Sequence, residues 1–249
     1  MDTTETTDTN APNAQTKQAA LLKIIDHARA LEQTLASFFD DSARAAVGTV
    51  EVWAPKDHFA HLAVWQTFRA RRLEAISTGN PPEEPESNDE AFQKYRDNTW
   101  SDSWAMAMRA LDKNATVIAR TPEDDLTHPE RFPWMNGGSF VSGVVSSGYL
   151  HPVEHVTQMY EERGDLAAAE RVQLESVAVV SGLFGKGEEY GIAAYNLGCF
   201  YAKRGRVDDA IAQVREALAV NPRLTDWSKE DSDLVSLHSL PAYQALYVG

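Results

Sequence analysis

The stretch GYLHPVEHVTQMYEERGDLAAAE, residues 148–170, decides the fold prediction because it joins two different helical patterns. Its first half contains His151 and His155, which are four positions apart and flank Pro152. Residues four apart lie on one face of a helix, so both imidazoles should project side by side. Its second half reads like part of a helical repeat. We therefore expect this stretch to complete a ligand site in one region and to begin a second region.

The chain before this stretch has the apolar spacing of long helices. From Lys17, apolar residues recur every three or four positions, which predicts one long helix with a single buried stripe. A second helix should begin at Pro55, because proline suits the first helical position. A third is predicted from Asn88 to about Arg120.

A fourth helix is predicted to begin near Ser139 and to kink at Pro152. The two-residue alternation of β-strands is nearly absent. These patterns predict an all-α fold in which the first four helices form a four-helix bundle.

The C-terminal third resembles a tetratricopeptide repeat. Residues 191–224 match the 34-residue pattern at Leu197, Gly198, Tyr201, Ala210 and Pro222. A weaker copy, MYEERGDLAAAE (residues 159–170), lies 41 positions earlier, and a longer loop at residues 181–191 would account for the excess. A terminal helix after Ser228 and Asp231 should seal the stack. Because an independent solenoid needs about three repeats, this short array should lean on the bundle.

These patterns divide the chain into three parts. We predict a disordered tail over residues 1–14, a four-helix bundle over residues 15–165 and a repeat region with a capping helix over residues 166–249. The tail assignment rests on its polar, acidic composition without apolar periodicity.

Composition restricts the function classes. Twenty-three basic and thirty-seven acidic residues give a formal net charge of −14, which disfavours nucleic acid as a partner. The single cysteine, Cys199, excludes an internal disulfide and is expected to be a buried structural thiol. No signal-like N-terminus and no run of about 20 apolar residues is present. We therefore expect a cytoplasmic protein without a membrane partner.

A third histidine strengthens the case for a ligand site. In KDHFAHLAVW (residues 56–65), His61 shares a helical face with Trp65 and Phe68, so it should point into the bundle. A buried imidazole needs a partner for each nitrogen. A metal would supply one, and a hydrogen bond to a neighbouring helix is the alternative.

A known family has motifs in this order. VWAPKDHFAHLAVWQ (52–66), a Pro/Glu-rich linker, EDDLTHPERFPWMNG (123–137) and YLHPVEH (149–155) resemble the DinB-like superfamily, and the nearest branch is its DfsB-type four-helix bundles. The resemblance covers roughly residues 17–165. It implies a divalent metal, most often zinc or nickel, with His61, His151 and His155 as ligands. His58 does not match this triad and is expected at the surface or behind the ligands.

The resemblance also implies a reaction class. Three neutral imidazoles leave a coordination position open, as in catalytic metal sites. The implied chemistry is thiol-dependent transfer or isomerisation, with a thiol cofactor, or hydrolysis of a reactive small electrophile. Two alternatives stay open: a scaffold that recruits a protein partner through the repeats, and a protein that sequesters a metal or an electrophile without turnover. The four tryptophans at helical spacing, Trp53, Trp65, Trp100 and Trp104, are expected in the core.

Overall fold

The computed structural model describes residues 16–77, 79–133 and 138–248. The predicted disordered tail and part of the predicted loop HPERFPWMNGG, residues 134–137, lie outside these ranges. Helices dominate the described part, which contains no β-strand. The α-helices are α1 (Lys17–Ser37), α2 (Asp41–Arg44), α3 (Pro55–Glu74), α4 (Asn88–Tyr95), α5 (Trp100–Arg120), α6 (Glu123–Thr127), α7 (Phe140–Gly143), α8 (His151–Glu162), α9 (Leu166–Phe184), α10 (Glu188–Ala202), α11 (Val207–Val220), α12 (Thr225–Glu230) and α13 (Pro241–Gln244).

The first helix begins and packs as its sequence predicts. The Thr16 hydroxyl accepts a hydrogen bond from the Ala19 N–H at 3.1 Å, which satisfies one of the unpaired donors at the helix start. One face of α1 is buried against α5, α8 and the segment before α8. The fully buried apolar side chains of α1 are Ala20, Leu21, Ile24, Ile25, Ala28 and Leu35.

Helix α3 crosses the interior and carries an unusual number of buried polar groups. Pro55 is its first residue, as predicted, and the Asp57 carboxylate accepts a hydrogen bond from the Ala54 N–H at 2.8 Å. Its most extensive packing is against α5. Buried polar side chains normally have partners or a function, so α3 is a candidate to contribute to a functional site. They are Lys56, Asp57, His58, His61, Gln66 and Arg69.

The predicted third helix is divided into α4 and α5. The hydroxyl of Thr99 accepts from the Asp102 N–H, and the Asp102 carboxylate accepts from the Thr99 N–H, each at 3.1 Å. This reciprocal pair starts a new helix at residue 100. The carbonyl of Asn98 is turned out of the helix and accepts from Lys56 Nζ at 2.8 Å. The break therefore exposes a carbonyl that a buried lysine of α3 binds.

The predicted fourth helix contains a π-helical turn immediately before His151 and Pro152. Residues Val144–Leu150 form a π-helix between α7 and α8, and Pro152 lies in the first turn of α8. Proline has no N–H, so it cannot donate to the carbonyl of residue 148. That carbonyl, on Gly148, accepts instead from Gln66 Nε2 of α3 at 3.3 Å. The irregularity therefore precedes the proline and is held from outside.

Two turns, at residues 160–165 and 201–206, share one geometry. In the first, the Asp165 N–H donates to the Tyr160 carbonyl at 2.9 Å, and in the second the Arg206 N–H donates to the Tyr201 carbonyl at 3.0 Å. Each turn has a glycine with positive φ, 75° at Gly164 and 69° at Gly205. The excess length lies in α9, which continues to Phe184, and the predicted longer loop is only residues 185–187.

Helices α10 and α11 approach closely. A Cβ atom added at Gly198 would lie 2.9 Å from Val214 Cγ2, so only glycine fits there without movement. The predicted terminal helix is corrected to short pieces, α12 and α13, with single 3₁₀ turns beside them. Asp231 bends the chain between them, because its carboxylate accepts from the Asp233 N–H.

The N-terminal and C-terminal helices share buried surface. One cluster of buried apolar side chains runs from α1 through the π-helix to α10, α11 and the C-terminal pieces. Helix α9 packs on α8 and on α1. Among the described residues, no helix combines the length and the apolar character needed to cross a membrane.

Candidate metal centre

Three histidine rings from two helices converge inside the protein. His61 Nε2 lies 2.9 Å from His151 Nε2, and His155 Nε2 lies 3.3 Å from the same atom. Ligand nitrogens of these three residues all lie within 4.8 Å of one another. The structure therefore brings together the three histidines that the sequence singled out.

Local structure explains this convergence. His151 and His155 are the first and fifth residues of α8, so both rings project from one face of the helix. His61 lies in the second turn of α3, which faces that side of α8. The ring of His61 is nearly perpendicular to the ring of His151, with centroids 4.8 Å apart.

Burial keeps the three rings neutral. It lowers the pKa of His61 to about 4 and that of His151 to about 3, with the neighbouring histidine adding to the effect in each case. Burial, followed by the same neighbours, lowers the pKa of His155 well below its ordinary range. A metal binds the neutral imidazole, so these rings need no net loss of a proton to bind a metal at neutral pH.

The donor set fits a divalent metal. Imidazole nitrogens bind zinc at about 2.0–2.1 Å in tetrahedral geometry, which places two ligand nitrogens about 3.3 Å apart. The nitrogen separations of 2.9 and 3.3 Å are near that value. Three imidazoles would leave one tetrahedral position for a small molecule. The cluster could therefore bind a metal of the kind that prefers nitrogen ligands.

A fourth histidine, His58, lies behind the cluster. It is one turn before His61 on α3 and is 9% exposed. Its Nδ1 atom is 3.1 Å from His155 Nδ1, so it contacts the side of His155 that faces away from the other two rings. The sequence left His58 between the surface and a position behind the ligands, and the structure gives the second.

Trp53 also contacts the cluster, although its sequence spacing placed it in the core with three other tryptophans. Its ring centroid is 5.0 Å from that of His61 and 5.5 Å from that of His58. Trp100 and Trp104 are partly buried and pack edge-on against Phe59, at the margin of an apolar core. Trp53 precedes the first turn of α3, so helical periodicity says nothing about its direction.

A cavity of about 530 Å³ adjoins the histidines. His58 and His155 form part of its wall, which otherwise combines apolar and acidic side chains. This volume suits a small molecule. The apolar side chains include Phe39, Val52, Trp53 and Met159, and the acidic ones are Glu51, Asp89 and Glu162.

A buried polar network supports the segment before His151. Arg69, on α3, donates from Nη1 to Gln66 Oε1 and from Nη2 to Ser147 Oγ, each at 2.7 Å. Gln66 in turn donates to Glu32 Oε1 at 3.4 Å. Burial raises the pKa of Glu32 to about 8 and lowers that of Arg69 to about 9. Helix α3 thus supplies both one histidine and the contacts that hold the π-helix.

The single cysteine, Cys199, is buried, as predicted. Cys199 is buried in α10, and its Sγ lies 3.8 Å from Asp231 Oδ2. Burial, together with this carboxylate, raises the pKa of the thiol, which opposes formation of the reactive thiolate.

Comparison with known proteins adds no relative to this description. No family model, no curated protein and no solved structure matches the chain. The assignment of a site therefore rests on the residues and their geometry.

Proposed function

We propose that this chain binds one divalent metal ion through His61, His151 and His155 and acts on a small molecule held in the adjoining cavity. The convergence of three Nε2 atoms, two of which lie within 3.3 Å of the third, carries the proposal. The proposal includes the DinB-like architecture, with α1, α3, α5 and the α7–α8 segment as the four-helix bundle. It also takes α9–α11 as tetratricopeptide-like helices.

Different residues would bind the metal ion and exclude water from it. The three neutral imidazoles would hold the ion, and zinc or nickel fits their nitrogen donors. A metal in this position would act as a Lewis acid toward a group at its open position. Trp53 covers one side of His61, which limits the access of water to that ligand.

The cavity favours a catalytic site over a site that only stores a metal. Structural metal sites are closed by four protein ligands, whereas three ligands leave one position for a substrate, and one of the three, His155, lines the cavity. Thiol-dependent transfer or isomerisation and hydrolysis of a small electrophile both fit this arrangement. Sequestration without turnover uses the same contacts, so single- and multiple-turnover kinetics with a candidate electrophile separate the two.

The first test is metal content. Protein purified without chelators should contain close to one divalent ion per chain, and His155→Ala should lose most of it because a nitrogen ligand is removed. His61→Ala and His151→Ala should behave in the same way. Elemental analysis measures all four proteins.

The control is His128→Ala. His128 is an exposed histidine whose Nδ1 contacts the backbone carbonyl of Asp124, so its replacement should leave the metal content unchanged. Wild-type protein that contains no metal and takes up none from zinc or nickel solutions would refute the proposal.

A protein-recruiting scaffold is the less favoured function. The repeat-like helices share buried apolar side chains with the N-terminal helices, which is the arrangement of a brace. Partner recruitment would need a surface that these contacts leave open. The brace also agrees with the small number of repeats.

A further inference from the structure

The contact between His58 and His155 carries information about which nitrogen of His155 bears hydrogen. The two Nδ1 atoms are 3.1 Å apart, and each residue is only 9% exposed. The rings are nearly perpendicular, at 83°, with centroids 5.1 Å apart. At this separation one nitrogen donates a hydrogen bond and the other accepts it.

The two possible directions of this hydrogen bond have different consequences. A neutral imidazole has one N–H and one lone pair. When His155 donates from Nδ1, its Nε2 has the lone pair, and that atom is the one 3.3 Å from His151 Nε2. When His58 donates, the hydrogen of His155 is on Nε2 and blocks binding of a metal there.

We propose that His58 is a positioning residue, which accepts the Nδ1–H of His155 and so holds the Nε2 lone pair of His155 toward His61 and His151. This inference rests on the proposed metal site and adds a residue outside its ligand set. His58 itself then carries its hydrogen on Nε2. In metal sites, the group that binds the second nitrogen of a histidine fixes its tautomer and ring orientation.

The position of His58 suits this role. It lies three residues before His61 on the same rigid helix, so one helix provides a ligand and the acceptor that orients a second ligand. The rings of Trp53 and His58 pack in a T-shaped arrangement, with centroids 5.5 Å apart, which restricts rotation of His58.

Two substitutions of His58 distinguish the effect of its hydrogen-bond acceptor from the effect of its side-chain volume. His58→Phe fills a similar volume and cannot accept a hydrogen bond. His58→Gln retains an acceptor in its side-chain carbonyl oxygen. We expect His58→Phe to weaken zinc binding by about 10- to 100-fold, the usual effect of removing such a partner, and His58→Gln to recover most of the loss. Competition with a chromophoric chelator measures the affinity, and thermal unfolding checks that each variant is folded.

The tautomer is measured directly in the metal-free protein. Long-range ¹H–¹⁵N NMR correlations should show the hydrogen of His155 on Nδ1 in the wild type and in His58→Gln, and a mixture of tautomers in His58→Phe. A wild-type His155 with its hydrogen on Nε2 would overturn the inference. So would zinc affinity in His58→Phe equal to that of the wild type, or spectra showing His58 bound directly to the metal.

This design separates two failures. If the wild-type protein binds no metal, the proposed function fails, and the tautomer of His155 still tests the His58 contact. If metal binds and neither substitution at His58 changes affinity or tautomer, the metal site stands and the positioning role fails.

Discussion

Four histidine rings packed against each other in a protein interior make the folded protein sensitive to acid. In the unfolded chain each would bind a proton near pH 6.5, whereas burial lowers the pKa of folded His61 to about 4. Between these pH values the unfolded state therefore holds more protons, and the free energy of unfolding falls as the pH drops. Because folding keeps these buried histidines neutral, protonation of the unfolded chain destabilises the fold as the pH falls.

The metal-free protein should accordingly lose stability below pH 6.5, and His61→Leu should reduce that loss. The wild type should lose up to about 1.4 kcal/mol per pH unit more than the variant, because the variant has one fewer histidine to protonate on unfolding. Glu32, whose raised pKa acts in the opposite direction, is present in both proteins and cancels in the comparison. Urea unfolding between pH 7.5 and 5 in the presence of a chelator measures the difference. Parallel pH curves for the two proteins would contradict the expectation, and His128→Ala should retain the wild-type slope.

The helices themselves were predictable where periodicity alone determines them. The start of α3 at Pro55 and the buried stripe of α1 follow from local spacing. The π-helix and the break before α5 were not predictable in the same way, because each depends on a partner from α3. Gln66 donates to the carbonyl of Gly148, to which Pro152 has no N–H to donate, and Lys56 donates to the carbonyl of Asn98. Such long-range bonds have no signature in the local sequence.

Arg69 offers a test of whether the π-helix positions His151. In Arg69→Met, Ser147 loses two hydrogen-bond donors and Gln66 loses one. We expect a loss of about 2–4 kcal/mol of unfolding free energy, because buried Gln66 and half-buried Ser147 lose hydrogen bonds to a charged donor. We also expect weaker zinc binding, since the segment before His151 is no longer held. Arg71→Met, which changes an exposed arginine on the same helix, is the matched control. Unchanged zinc affinity in a destabilised Arg69→Met would show that the network supports the fold and not the site.

Across the chain, the sequence identified the three clustered histidines but not the surroundings that set their chemistry. Spacing and family resemblance pointed to His61, His151 and His155, and the structure brings them together. The contacts of His58 and Trp53 with these histidines depend on how α3 and the segment before it pack against α8. Sequence spacing does not specify that packing. The signal that was present for His58 is its position three residues before His61, on the same helical face.

The chain has a net charge of −14, and the cavity wall is also acidic. It contains the carboxylates of Glu51, Asp89 and Glu162. A cleft lined by one sign of charge concentrates ligands of the opposite sign. The cobalt-loaded protein should therefore bind 2-mercaptoethylamine, a cation, more tightly than 3-mercaptopropionate, an anion, as measured by thiolate-to-cobalt absorption. We expect the preference to fall by roughly threefold or more when the three acids are replaced by their amides, and to fall with added salt. Because the variant and the wild type see the same two thiols, intrinsic differences in thiol acidity cancel. An unchanged preference in the Glu51→Gln, Asp89→Asn, Glu162→Gln variant would mean that the wall does not select ligands by charge, and that selectivity comes from the apolar side chains alone.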